Sequence, residues 1–176
     1  MDDKLKSIFA NVNEWLKFAE AKNAVLVALD GGAVLGVLGL LKEQTKLPEW
    51  VTIYLWLFVI FNTIALTIAL FSFLPQTKIP YFWMRSEPDS NDNLLFYGHI
   101  KKYDVTQYLS ALYINDGQHH NDFSKMEIDY ANQIIVNSQI ADRKYNYFRV
   151  ALWFTISAIL TPLIGGLLYL LFNPNG

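Results

Sequence analysis

Polar side chains able to bind a ligand gather just before the first and the last of three apolar blocks in this 176-residue chain. An anionic ligand could be held between the two helices that carry them, because lysine and arginine form charge-assisted hydrogen bonds with anionic groups. The simpler interpretation is a solvated helix face whose cations reach lipid head groups. The two groups are Glu20, Lys22 and Asn23, and Gln133, Asn137, Gln139, Asp142, Arg143 and Lys144.

Asp30 is an acid inside the first apolar block, and Gly31 and Gly32 follow it directly. A carboxylate within a membrane segment is costly unless it faces the bundle interior, a partner or water. We predict that Asp30 faces inward, that Asn62 is a candidate partner, and that the two glycines let a neighbouring helix approach closely. These four residues form a predicted coupling and assembly site. The alternative is an interfacial carboxylate at the entry of a helix that begins later.

Chemistry that needs a metal or a nucleophile has little support in the sequence. The adjacent His119 and His120 invite a metal site, but their side chains diverge on any regular element, and the nearby Asp116 and Asp122 are ordinary turn residues. The chain has no cysteine. The glycines of the first apolar block favour helix packing over a phosphate-binding loop. We predict no catalytic residues, no metal, no cofactor and no enzyme activity.

The three apolar blocks account for the unusual composition, in which 53% of residues are hydrophobic and 17% are charged. Residues 51–74 and 150–172 contain no charged side chain, and residues 24–41 contain only Asp30. A membrane-spanning helix requires about 20 predominantly apolar residues. We therefore predict transmembrane helices at 24–41, 51–74 and 150–172. The net charge of -2 argues against a nucleic-acid partner.

Basic residues are concentrated before the first span and between the second and third spans. In the connection between the first two spans, Lys42 and Lys46 are offset by Glu43 and Glu49, and the last four residues carry no charge. The positive-inside rule then places the N-terminus and residues 75–149 in the cytoplasm and the C-terminus outside.

The predicted cytoplasmic parts are helical. Apolar residues recur at spacings of three and four from Leu5 to Ala19, which predicts an amphipathic helix within residues 1–23. The prolines that follow the second span predict a linker with a helix start near Asp92, and another helical pattern begins at Ser124. No helix breaker separates the first or the last pattern from its span. The predicted fold is an all-α membrane protein: three transmembrane helices with a cytoplasmic helical bundle formed by the N-terminal helix and residues 75–149.

Three stretches resemble the Pycsar effector transmembrane family, in an order and placement that match its spans. FAEAKNAVLVALDGGAVLGVL, from Phe18, is similar to the opening of that family, where an acid-x-Lys motif leads into the first span. LFYGHI, at 95–100, and DYANQIIVNSQIADRKYNYFRVALW, at 129–153, resemble its second half. One departure is Asn23, which follows Lys22 where the family often has a small residue. The pattern before the last span is Asn-Ser-x-Ile-Ala-x-x-Lys, here Asn137, Ser138, Ile140, Ala141 and Lys144.

The resemblance implies a bacterial antiphage effector of the inner membrane. In that family's systems, a partner nucleotide cyclase makes a cyclic pyrimidine mononucleotide, cUMP or cCMP, and the effector then impairs the membrane and stops growth before phage mature. On this hypothesis, Lys22 and Lys144 offset a phosphate charge, and Asn137 forms hydrogen bonds with a base or a ribose. With Arg143, these are the predicted ligand-binding residues.

Three spans of one protomer cannot easily line a pore, so we expect a homo-oligomer in the lipid bilayer. Two other hypotheses stay open. An inner-membrane scaffold would anchor a partner through the cytoplasmic bundle, and would keep its effect when Lys22 and Lys144 are replaced by alanine. A small channel or transporter subunit without nucleotide control would show a standing leak with no ligand added.

Overall fold

The computed structural model describes residues 1–43, 47–74, 87–118 and 122–172, and every regular element within these ranges is an α-helix. Five helices follow one another along the chain: α1 Asp2–Lys42, α2 Glu49–Phe71, α3 Tyr97–Ile100, α4 Val105–Asn115 and α5 Lys125–Phe172. The chain divides into a first unit, residues 1–20 and 75–145, and a second unit, residues 21–74 and 146–176. The helices α1 and α5 contribute residues to both units.

The first unit is built around an apolar core that α1, α4 and α5 share. Leu5, Ile8 and Val12 of α1 are buried in it, at the helical spacing seen in the sequence. The ring of Tyr108 on α4 is fully buried, and its hydroxyl donates to the carbonyl of Leu94 at 2.8 Å, which ties the segment before α3 to this core. The other buried members of the core are Leu94, Ile100, Tyr103, Leu109, Leu112, Ala131, Ile134 and Ile135.

Capping boxes fix the starts of α4 and α5. Asp104 accepts a hydrogen bond from the backbone of Gln107 at 2.8 Å, and the Gln107 side chain accepts one from the backbone of Asp104 at 3.2 Å. Ser124 and Glu127 form the same reciprocal pair before α5, at 3.3 and 2.9 Å. Each box satisfies backbone donors that have no partner within the helix. The helical pattern that begins at Ser124 in the sequence is therefore confirmed.

Asp92 does not start a helix, contrary to the sequence-based prediction. Its carboxylate accepts hydrogen bonds from the Asp89 backbone at 2.8 Å and from Lys102 Nζ at 2.6 Å, so it stabilises a turn instead. Burial alone would raise the pKa of Asp92, but the hydrogen bonds from Lys102 and the backbone and the charges of Lys102 and His99 together lower it. The first helix after this turn, α3, begins at Tyr97.

The second unit contains the membrane-spanning part of the molecule. Three helices are long and apolar enough to cross a membrane, α1, α2 and α5, which confirms the all-α membrane fold and the number of spans. Large apolar side chains such as Leu35 and Trp153 are exposed on the outside of this unit. Its interior is formed by small and polar side chains, the pattern expected when helices associate in lipid. The buried residues of this unit are Asn23, Leu26, Asp30, Val59, Asn62, Ala65, Ala69, Ser72, Ala151, Thr155 and Ala158.

Two sequence-based predictions lie outside the described residues. These are the metal hypothesis at His119 and His120, and the part of the predicted linker within residues 75–86. In the part of the chain that the structure describes, no group of three or more histidine, cysteine, aspartate or glutamate side chains could hold a metal ion.

Candidate functional site

The polar segment of α5 in the first unit carries three of the four predicted ligand-binding residues. Asn137 Nδ2 donates a hydrogen bond to Asn13 Oδ1 of α1 at 2.8 Å. Lys144 Nζ forms an ion pair with Glu20 Oε1 of α1 at 3.1 Å, and the Lys144 side chain is only 13% exposed. The Glu20 side chain is 49% exposed, so solvent screens this ion pair in part. Two of the three residues therefore link α5 to α1.

Arg143 differs from its neighbours on α5. Asp142 forms an ion pair with Lys101 Nζ at 2.7 Å, and Gln139 Nε2 donates to the backbone carbonyl of Lys101 at 3.3 Å. The half-buried guanidinium of Arg143 makes no ion pair or hydrogen bond with any residue that the structure describes. Arginine offers five donors in a planar fork that matches a phosphate. The hydrogen-bond donors of Arg143 are thus not used by any described part of the chain.

An aromatic cluster lies on the same unit and was not identified from the sequence. The rings of Tyr97 and Tyr145 stack at 5.2 Å between centroids with an interplanar angle of 16°. Trp15 lies 5.6 Å from Tyr97 and 6.4 Å from Tyr145, and Phe96 extends the cluster. Trp15 and Phe96 are each 36% exposed, so their rings remain accessible. A partly exposed cluster of aromatic rings can stack on the planar ring of a nucleobase.

Ser138, which belongs to the motif before the last span, is fully buried in the first unit. Its hydroxyl has no hydrogen-bond partner among the residues that the structure describes. Burying a hydroxyl without a partner costs about 1–3 kcal/mol, so such a group is uncommon unless it has another role. Ser138 lies one residue after Asn137 and seven before Tyr145, which places it on the helix face that carries Tyr145.

Lys22, the fourth predicted ligand-binding residue, belongs to the second unit. Its ammonium group lies 5.3 Å from the centroid of the Phe148 ring, a distance at which a cation is attracted to an aromatic face. Asn23, the next residue, is fully buried. The contact with Phe148 links α1 to α5 within this unit.

Asp30 is fully buried inside the second unit, and its partner is Thr155 of α5. Thr155 Oγ1 lies 3.1 Å from Asp30 Oδ1 and 3.1 Å from Asp30 Oδ2. Asn62 is also buried, but its amide donates to the carbonyl of Phe58 on its own helix at 2.9 Å. One feature of the sequence could have identified Thr155 as the partner of Asp30: it places a hydroxyl group within the charge-free third span.

Gly31 and Gly32, the glycines predicted to allow close helix packing, have no described neighbour at their surface. A Cβ added to Gly31 or Gly32 would meet no atom within 4 Å, so both positions are open. A close approach occurs instead at Gly165 of α5, where an added Cβ would overlap the ring and hydroxyl of Tyr54 on α2. Only glycine fits this contact without displacing the tyrosine.

A protein-family model matches most of the chain. The model of the Pycsar effector protein domain matches residues 4–171. Neither the curated proteins nor the solved structures contain a significant match to the chain. The matched range includes the polar segment of α5, the buried Asp30 and all three spans.

Proposed function

The chain belongs to the Pycsar effector family and is an antiphage membrane effector, and we propose that a cyclic pyrimidine mononucleotide, cUMP or cCMP, activates it. A nucleotide cyclase would supply this ligand as the functional partner. The effector would then act without catalysis, by impairing the inner membrane. The observation that carries the proposal is that α1 and α5 each supply a spanning segment and a part of the first unit. That unit holds an aromatic cluster and an arginine, Arg143, that pairs with none of the described residues.

The first unit offers chemistry suited to a cyclic nucleotide. The Arg143 guanidinium and the Lys144 ammonium can both bind the cyclic phosphate, and the phosphate would compete with Glu20 for Lys144. The amide of Asn137 can form hydrogen bonds with a base or a ribose. Lys22, in the second unit, stays a predicted ligand-binding residue.

Activation requires a ligand that binds one arrangement of α1 and α5 better than another. In the structure, the Lys144–Glu20 ion pair and the Asn137–Asn13 hydrogen bond join these two helices. A phosphate that takes Lys144 from Glu20 would remove one of these links and favour a different packing of α1 against α5. Because both helices also supply spans, we propose that this change is passed to the membrane bundle.

We further propose that the effector works as a homo-oligomer in the lipid bilayer, with its N-terminus and residues 75–149 in the cytoplasm and its C-terminus outside. Open glycines on α1 support assembly, since no described part of the same chain covers them. Small residues let the helices of separate protomers approach closely. These open positions are Gly31, Gly32, Gly36 and Gly39.

The direct test uses the purified chain in liposomes that hold a potassium gradient, with the membrane potential followed by a dye. We expect cUMP or cCMP to collapse the potential, and cAMP and cGMP at equal concentration to leave it intact. An unchanged potential with all four nucleotides would refute activation by a nucleotide. A leak before any addition would instead favour a channel without nucleotide control.

A further inference from the structure

Among the described residues, the Asp30–Thr155 pair has no other charged side chain close to it along α1 or α5. The nearest charged group along α5 is Arg149, six residues before Thr155 and therefore about 9 Å away along the helix axis. The nearest on α1 is Lys22, about 12 Å from Asp30. Tyr54 of α2 lies against Gly165. The charged and titratable groups nearest the pair along the three helices are Lys22, Lys42, Glu49, Tyr54, Tyr147 and Arg149.

When Asp30 is ionised, the pair has fewer hydrogen-bond donors than its acceptor oxygens require. Thr155 Oγ1 lies 3.1 Å from both carboxylate oxygens of Asp30 and 3.2 Å from the carbonyl oxygen of Ala151. A hydroxyl group has one hydrogen, so it can donate fully to only one of these three acceptors. If Asp30 is ionised, its negative charge is buried with a single shared donor and no cation among the described residues. A buried charge without a counter-charge or a full set of donors is strongly disfavoured.

One added proton completes the network. A protonated Asp30 carboxyl donates to Thr155 Oγ1, and the Thr155 hydroxyl then donates to the Ala151 carbonyl. Each hydrogen has one acceptor, and no net charge remains on the Asp30–Thr155 pair. The distances fit this chain of donors without any change in the positions of the heavy atoms.

We propose that Asp30 and Thr155 form a proton-binding site inside the membrane bundle, and that the site holds its proton while α1 and α5 pack as in this structure. Uptake is the simple reaction of a carboxylate with a proton from water to give a carboxylic acid. Release of the proton leaves a charge that only water or a cation can compensate. Deprotonation therefore favours arrangements in which the interior of the bundle is hydrated. This site is independent of any nucleotide.

The test measures the protonated carboxyl directly by infrared spectroscopy of the full chain in lipid nanodiscs at pH 7, with the aspartate carboxyl groups labelled with ¹³C. We expect a carboxylic-acid C=O band that shifts with the label and is lost in Asp30→Asn. Thr155→Val should move the band, because the acid loses its acceptor. Thr161→Val is the matched control, since the exposed Thr161 hydroxyl donates to the Ser157 carbonyl at 2.7 Å on the same helix, and it should leave the band in place.

Absence of a label-sensitive acid band in the wild-type chain would overturn the proposal. So would a band that Thr155→Val and Thr161→Val affect equally. If Asp30→Asn does not insert, the labelled wild-type chain and the two threonine variants still decide the question. Stabilisation of the chain by sodium chloride but not by potassium chloride, with no acid band, would make this a sodium site and would also overturn the proposal.

Discussion

Thr155 Oγ1 and the carboxylate of Asp30 meet at 3.1 Å across 125 residues of sequence, inside a bundle whose outer surface is apolar. The contact joins α1 to α5 within the second unit. It also shows how a membrane segment can keep an acid, since the carboxyl group faces the protein interior and Thr155 instead of lipid.

Asp30→Leu should preserve membrane insertion and alter activation, because the segment becomes more apolar but loses its bond to Thr155. A double-mutant cycle with Thr155→Val measures the coupling between the two side chains. Hydrogen bonds between membrane helices average about 0.6 kcal/mol, and we expect at least this value in detergent unfolding. A coupling energy of zero, with wild-type oligomers and a wild-type response, would show that the pair has no role in assembly or activation.

Gly165→Ala should destabilise the second unit by about 1–3 kcal/mol, because its Cβ would overlap Tyr54 and force repacking. Gly166→Ala is the matched control on the next residue. A Cβ added there meets nothing within 4 Å, so higher helix propensity should stabilise the chain by up to about 1 kcal/mol. Chemical unfolding in detergent compares the two variants. Equal changes in stability for Gly165→Ala and Gly166→Ala would contradict the contact between Gly165 and Tyr54. So would a double variant in which Tyr54→Ala does not reduce the destabilisation caused by Gly165→Ala.

Sequence periodicity predicted elements well and contacts between elements poorly. The spacing of Leu5, Ile8 and Val12 gave the buried face of α1, because a helix places these positions on one side. The partner of Asp30 depends on how α1 and α5 align across 125 residues, and no local pattern encodes that register. The stacking of Tyr97 on Tyr145 was missed for the same reason.

Tyr113 should ionise at a higher pH than an ordinary tyrosine in the folded protein. Its hydroxyl donates to Glu127 Oε1 at 2.6 Å, and this bond, followed by burial and the Glu127 charge, raises the pKa of Tyr113 from 10.0 to about 12. Because the folded pKa is raised, the stability that this bond contributes is fully present below pH 10 and is lost as the pH rises through about 12.

The near-ultraviolet tyrosinate absorbance of the wild type minus that of Tyr113→Phe isolates this titration. Glu127→Gln removes the charge that holds the phenol proton, so the Tyr113 titration should move to lower pH in that variant. A difference titration centred near pH 10 in the wild type would contradict the buried hydrogen bond.

Tyr97→Ala should weaken binding of cUMP or cCMP if the aromatic cluster stacks on the base. Alanine substitution of an aromatic ring that stacks on a nucleobase costs about 1–3 kcal/mol, and about 1.4 kcal/mol corresponds to tenfold in affinity. Tyr130→Ala is the control, since Tyr130 packs edge-on against Phe9 at 5.9 Å in the same unit. Calorimetry on the full chain in nanodiscs gives both affinities. Equal nucleotide affinities for Tyr97→Ala and Tyr130→Ala would show that the base does not stack on the aromatic cluster.

Arg143→Ala should reduce nucleotide affinity by about 1.5–3 kcal/mol, the range for a hydrogen bond to a charged group. The fold should tolerate this change, because no described residue bonds the Arg143 guanidinium. Arg149→Ala is the matched control, since exposed Arg149 donates to Asn146 at 2.8 Å on its own helix.

Glu20→Gln should raise the nucleotide affinity, because it removes the ion pair between Glu20 and Lys144. Calorimetric titration and thermal unfolding of the three variants separate binding from stability. Loss of stability without loss of affinity in Arg143→Ala would remove this residue from the ligand site.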